Sequence, residues 1–230
     1  MNSVLCVHEV RDMLNMVCDS VLRERQQLTL LDGPIGDGDH GIGMSRGVTA
    51  AKYALENDNL PGDINTLFYR MGRTMLSTMG GSSGVIFGTM FMGAVKGMDR
   101  TDRLDGNTFT GMMRNALEAV KEKGRAHTGE KTMVDALEPA VIAMEHSDNI
   151  DLKELLDLAV AAAKEGAAKT KDMISKHGHS KTLGERSLGH PDPGAVSVVI
   201  IFQAMQEYLL TLSGRKTFLS GKPVYAPGMI

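Results

Sequence analysis

Tryptophan is absent from the chain, and phenylalanine and tyrosine together make up only 4% of its 230 residues. A core without rings must be filled by leucine, alanine, valine and the unusually frequent methionine (17), which suits closely packed helices better than sheets. Cysteine is nearly absent too. Cys6 and Cys18 lie twelve apart in one helical pattern, about 18 Å along an axis that rises 1.5 Å per residue, so they cannot bridge and read as reduced packing residues. There is no excess of positive charge: the net of −3 argues against a nucleic-acid partner. No uninterrupted apolar run reaches membrane-spanning length, and the start MNSVLCVHEVRD has neither a basic leader region nor a cleavage site. The expectation is a cytoplasmic chain without a membrane partner.

Strand signals are also missing; apart from one run discussed below, no alternation of apolar and polar residues is convincing and no Asn-Gly hairpin joins two strands. What is present is helical. Val7, Val10, Leu14, Val17 and Val21 repeat with a 3-4-3-4 spacing that defines one helix face, in a helix expected to end before Asp32. Further helices are predicted over Gly41–Leu55, from Ile64 to about Thr78, and along VIFGTMFMGAVKGM. A fifth, capped by Thr108 or Asn107, carries Phe109, Met112, Met113, Ala116 and Val120. A sixth, MVDALEPAVIAMEH, should be kinked by Pro139. Asp151 with Glu154 resembles a capping box opening a seventh helix to roughly Ile174. The last, AVSVVIIFQAMQEYLLTL, contains a Val-Ile run compatible with a buried strand, but its apolar length favours a central helix. The fold class expected is all-α: a single-domain antiparallel bundle or barrel of about eight helices over residues 1–213, with 214–230 an extended C-terminal tail.

Four glycine-rich segments interrupt the helices: DGPIGDGDHGIG, GGSSG, KGRAHTGEKTM and LGERSLGHPDPG. They follow the first, third, fifth and seventh helices, so in an up-and-down bundle all four meet at one end. The first holds Asp32, Asp37 and Asp39 within eight positions, hard oxygen donors suited to Mg²⁺ or Ca²⁺. Helices start directly after these loops, and helix N-termini with bare amides bind phosphate oxygens. Carboxylates alone would repel a polyphosphate; divalent ions between them reverse that. No GxxxxGK[ST] occurs, so the usual phosphate-binding lysine loop is missing and charge neutralisation falls to metal and helix ends.

LDGPIGDGDHGIGMSRG, GGSSGVIFGT, GEKTMVDALEPA and LGERSLGHPDPGAVS together resemble the L, or nucleotide-binding, subunit of dihydroxyacetone (glycerone) kinases, in the family's order from Leu31 to Ser197. The resemblance implies an antiparallel eight-helix barrel holding ADP or ATP through two Mg²⁺ at one end. It makes Asp32, Asp37 and Asp39 the metal ligands. It puts His40, Gly41, Ile42 and Gly43 against the phosphates, Ser82 and Ser83 at the next phosphate-binding turn, and Gly124 and Met133 beside adenine and ribose. Asp192, Pro193 and Gly194 would close the pocket. Two positions depart from the pattern: Gly43 stands where Asn or Thr is common, and in KHGHSKTLGERS His179 replaces an Arg and Thr182 an aromatic. The implied chemistry is phosphoryl transfer to a small ketose held on a histidine of a separate K subunit. In one branch of the family a phosphohistidine protein of the phosphotransferase system rephosphorylates bound ADP in place; in the other, ATP exchanges. Dihydroxyacetone is the default sugar, and His179 leaves a tetrulose open.

Plainer roles stand beside these. The aspartates could be solvated turn residues and caps, GGSSG a tight helix entry, His40 a capping residue and Met133 core. His127, His177 and His190 read as solvated or structural loop histidines, and Arg186 as either near the transferred phosphate or paired to Glu185 or another carboxylate. His8 and His146 carry no role. A metallophosphoesterase would need histidine at Asp39 and a strand-rich sandwich, and an EF-hand would need a ligand at Gly41. A nucleotide-sensing module without kinase activity remains as the alternative function.

Overall fold

A computed structural model describes residues 3–57, 62–148 and 151–219, with side chains through residue 212. Among these residues are nine α-helices: α1 (Val7–Arg23), α2 (Arg25–Asp32), α3 (His40–Asn57), α4 (Ile64–Thr78), α5 (Gly81–Ala94), α6 (Gly106–Gly124), α7 (Val134–Glu145), α8 (Leu152–Lys169) and α9 (Pro193–Leu219). Two-residue strands β1 (Leu5–Cys6) and β2 (Arg103–Leu104) pair antiparallel. Short 3-10 turns cover Thr170–Asp172 and His179–Ser187.

The helix count exceeds the expected eight because the first helix breaks at Glu24, whose amide still bonds the Ser20 carbonyl. Asp32 is the last residue of α2 and not a residue beyond it. The packing makes a closed ring: each helix from α3 to α9 packs on the next, α9 returns to α1, and α1 packs on α3. With α1 and α2 counted as one broken stave, the barrel has eight. The predicted α1 stripe is buried throughout, and Met71, Phe68, Phe91 and Phe202 fill the centre. Burying each such side chain is worth about 1.5–3 kcal/mol. The Val-Ile run is helical, because α9 closes the ring between α8 and α1. Over Pro193–Leu212 this helix has the length and hydropathy of a membrane span, but 61% of that window is buried against the other staves, as in a core helix.

Several boundaries differ from the sequence reading. Asp105, and neither Asn107 nor Thr108, caps α6: its carboxylate accepts the Thr108 amide at 2.8 Å. α8 ends at Lys169 and one 3-10 turn, leaving Ile174 exposed. α9 continues to Leu219, so helix covers 214–219, which the sequence reading gave to an extended tail; 220–230 lie outside the described residues. Cys6 sits in β1 just ahead of α1, and both cysteines are free thiols; burial, reinforced by Asp19, pushes Cys18 up to about 12.

The two ends of the barrel are finished differently. At the end remote from the glycine-rich loops, α4, α6 and α8 each open on an aspartate (Asp63, Asp105, Asp151) whose carboxylate accepts a first-turn amide. Such caps contribute about 1 kcal/mol apiece. At the loop end, α5 starts on Gly80, which offers no side chain, and α7 on Met133, which makes no cap bond.

Candidate functional site

All four glycine-rich segments border one cavity of about 570 Å³ at that less-capped end. Its floor is acidic: one oxygen each from Asp32, Asp37 and Asp39 lies within 4.8 Å of the others. Asp32 is buried, and one of its oxygens accepts the His40 amide at 3.2 Å, leaving the second for a ligand. A Cβ at residue 36 would overlap that carboxylate, so the loop can fold over Asp32 only with glycine there. Asp37 and Asp39 are exposed beside it. Burial, a shared hydrogen bond with Asp37 and the charges of Asp37 and Asp32 raise Asp39 above the usual carboxylate range. Asp37, working against its own slight burial, is held below that range by hydrogen bonds from Asp39 and by His179, 3.0 Å away. Three hard oxygens kept in repulsive proximity, with no lysine or arginine among the described residues paired to them, suit a divalent ion.

The walls come from α3, α5 and α9. His40, buried at the head of α3, places Nε2 2.9 Å from Ser197 Oγ and Nδ1 3.4 Å from Ser83 Oγ. Because Ser197 donates its own hydroxyl proton to the Pro193 carbonyl at 2.9 Å, His40 Nε2 carries the hydrogen and Nδ1 accepts. Burial lowers its basicity, partly opposed by Asp32, so the ring is neutral and ties α3 to α5 and α9 while facing the cavity. Asp192 caps α9 through the Ala195 amide at 2.7 Å. Burial first, then the charges of Asp135 and Asp32, push its carboxyl up to about 7. The inner wall is apolar, with Ile86, Val120 and Met133 around Gly124, the last residue of α6.

The cavity brings together Asp32, Asp37, Asp39, His40, Gly43, Ser82, Ser83, Gly124, Met133, His179, Asp192, Pro193 and Gly194, as the sequence anticipated for a single site. Gly41 and Ile42 do not line it. Gly41 faces α2, where a Cβ would overlap the Arg25 carbonyl and Thr29, and Ile42 points its side chain to solvent. Their share is limited to the first-turn amides of α3, which have no intrahelical acceptor. Arg186 is exposed and does not border the cavity. His177 does border it, and binds Glu130 at 2.7 Å; this hydrogen bond, with one from the His127 amide, lowers Glu130 to about 2.

Lys131 was missed. It is 2% exposed, has φ of 61°, and directs Nζ at the carbonyls of Thr170, Met173 and His190. Nothing in GEKTM marks a lysine as buried, since its three acceptors come from a segment some forty to sixty residues away.

Residues 34–207 match the DAK2 domain family. The chain is 41% identical over 192 residues to the PEP-dependent dihydroxyacetone kinase 1, ADP-binding subunit DhaL, of Listeria innocua, covering 84% of this chain and 91% of that one. It is 36% identical over 188 residues to the corresponding ADP-binding subunit DhaL of Escherichia coli, covering 79% and 87%. Identity is also 36% over 212 residues to the L-erythrulose kinase of Pectobacterium atrosepticum, covering 90% of this chain and 36% of that protein. The crystal structure of the dihydroxyacetone kinase from C. freundii in complex with AMP-PNP and Mg²⁺ superposes with a TM-score of 0.68 at 27% identity, covering 90% of this chain. This chain spans about a third (34%) of that kinase.

Proposed function

The chain belongs to the DAK2 domain family, and from that premise we propose that it is the nucleotide-holding subunit of a ketose kinase, a phosphotransferase acting on an alcohol group. The observation that carries this reading is the acid triad facing sparsely capped helix starts across one cavity. The cavity's volume, about 570 Å³, lies in the range of roughly 300–1,000 Å³ usual for small-molecule sites.

Asp32, Asp37 and Asp39 hold Mg²⁺, two ions in this reading. When bound, the metal neutralises phosphate charge and orients the transferred phosphoryl group. The first-turn amides of α3 and α5, that of Ser83 included, and the hydroxyl of Ser82 donate to phosphate oxygens, and Gly43 leaves room for them to approach. His40 keeps Ser83 and α9 in register. Ile86, Val120 and Met133 offer an apolar slot for the base beside Gly124. His179 covers the phosphate side from above, while Asp192, Pro193 and Gly194 close the α9 side. The sugar is carried by a separate K subunit, a reading supported by similarity along most of the chain to proteins named as ADP-binding subunits.

Nearly full-length similarity to ADP-binding subunits supports the phosphotransferase-linked branch, in which ADP stays bound and a phosphohistidine protein recharges it. The erythrulose kinases are matched over about a third of their length (36% in one case), and a tetrulose is the second choice of sugar. The free thiols are consistent with a cytoplasmic setting. The deciding experiment is the ligand content of the purified chain, followed by ketose phosphorylation with a K subunit and phosphohistidine donor supplied. Retained ADP with magnesium and ketose phosphate formation are expected. A chain that binds no adenine nucleotide in the presence of magnesium refutes the proposal, and one that retains ADP but supports no transfer is a sensing module.

A further inference from the structure

We infer that Lys131 is a positioning residue: it clamps both feet of the 174–189 segment and so holds that segment across the mouth of the cavity. This rests on the nucleotide reading above and adds a residue to it. A lysine in a phosphate site would ordinarily be a phosphate ligand. Here the three hydrogens of the ammonium are matched by three carbonyls, Thr170 at 2.6 Å, Met173 at 3.3 Å and His190 at 2.5 Å. Thr170 and Met173 precede the segment and His190 follows it. One buried cation therefore grips both ends of the loop. A left-handed backbone, uncommon for a residue with a side chain, is retained at the same position.

The segment itself is a compact Ω-like loop. Its feet also bond each other, through the Gly189 amide to the Lys171 carbonyl (2.8 Å) and the Asp192 amide to Thr170 Oγ1 (2.9 Å). Inside it the Ser175 amide bonds Ser187 Oγ at 3.0 Å. At its tip, His177 reaches Glu130, next to the cavity-lining Lys131, and His179 reaches Asp37 on the cavity floor. Of its larger apolar side chains, Ile174 and Leu188 are 43% and 41% exposed and Leu183 is half-buried, so polar bonds more than burial hold it down. A unit held this way opens independently of the helices. The clamp at its base thus controls how long a ligand beneath it stays.

The test compares the full chain with Lys131→Met, using ADP with Mg²⁺ as the probe. Methionine keeps the stem and removes every donor. Amide hydrogens in 174–189 should exchange faster in the variant while the barrel helices stay protected. ADP should dissociate at least about tenfold faster, with association changed by less than about twofold, as expected when a gate and not an entry path is altered. A purely structural lysine would lower protection throughout and leave ADP kinetics of the folded chain unchanged; that result, or unchanged exchange and dissociation, overturns the inference. Should the variant not fold, the unmodified chain decides. Exchange of 174–189 as one unit, slowed by MgADP, supports the clamp; residue-by-residue exchange, or exchange at the rate of the helices, overturns it. Failure of the unmodified chain to bind MgADP would sink the nucleotide reading, and the inference with it, before any variant is compared.

Discussion

Replacing Asp37 by asparagine should leave the stability of the metal-free protein nearly unchanged and make its magnesium response disappear. The three acidic oxygens lie within 4.8 Å of one another. At that separation each pair of full charges repels by about 3.5 kcal/mol at an effective dielectric of 20, and by about 0.9 kcal/mol in bulk water. Asp37 is exposed, so the lower figure governs, and its two pairs sum to about 2 kcal/mol. The contact with His179, 3.0 Å away, returns up to about 1 kcal/mol of that when the imidazole is protonated. Asparagine keeps an oxygen for the Asp39 amide, 3.3 Å away, so shape and backbone bonding survive. Against its slight burial, hydrogen bonds with Asp39 and the nearby His179 nonetheless hold Asp37 below the usual carboxylate range, so folding favours its ionised form and offsets the repulsion. The net expectation in chelator is a change of less than about 1 kcal/mol, a Tm within about 2–4 °C of the parent in a chain of this size. With magnesium at a hundredfold excess over its Kd, the unmodified chain should gain about 2.7 kcal/mol, or roughly 5–11 °C. The variant should gain almost nothing. Melting curves with EDTA and with MgCl₂, followed by circular dichroism, measure both. A variant that melts more than about 4 °C below the parent in EDTA would show the acidic loop to be structural, and one that keeps the magnesium shift would show that Asp37 is no ligand.

Gly166→Ala tests the barrel wall. Alanine in a helix interior usually gains about 1 kcal/mol over glycine, but here its Cβ would overlap the Asp135 carbonyl and lie 2.9 Å from Pro139 Cγ. Pro139 lacks the amide that would engage that carbonyl, and α8 approaches at this point. Urea melts should show a net loss of about 1–3 kcal/mol; equal or greater stability would mean α7 and α8 stand further apart. Asp192→Asn tests the half-buried carboxyl that caps α9. With a folded pKa of about 7 against an ordinary 3.8, the folded chain prefers the protonated form. The contribution is therefore intact below about pH 3.8 and lost as pH rises through 7. Urea melts at pH 5 and pH 8 should show the asparagine variant gaining on its parent at the higher pH, and parallel pH profiles would contradict the assignment.

Much of the barrel was legible because helix formation depends on neighbours three and four residues apart, and that spacing is written along the chain. The bounds of α4 emerged at Ile64 and Thr78, and the α1 stripe from Val7 to Val21 proved buried. Loop parity followed from the alternation of antiparallel helices, which is why four distant segments could be assigned to one end. The misreadings were local competitions. Asp105 won the α6 cap over Thr108 because the helix starts one residue before Asn107. For Gly41, the resemblance suggested a phosphate contact and gave no sign that its Cα side is also where α3 meets α2.

Residue type and spacing along the chain determined that helices would form, roughly where they would lie, and that aspartates would concentrate around one glycine-rich loop. Only tertiary structure decided which atoms of those residues face one another. That Asp32 lends one oxygen to His40 and keeps the other, that His40 is neutral between two serines, and that Lys131 spends its charge on three carbonyls depend on segments brought together from far along the chain. Burial and the direction of a hydrogen bond belong to the assembled barrel, because both are set by neighbours in space that have no fixed distance in sequence.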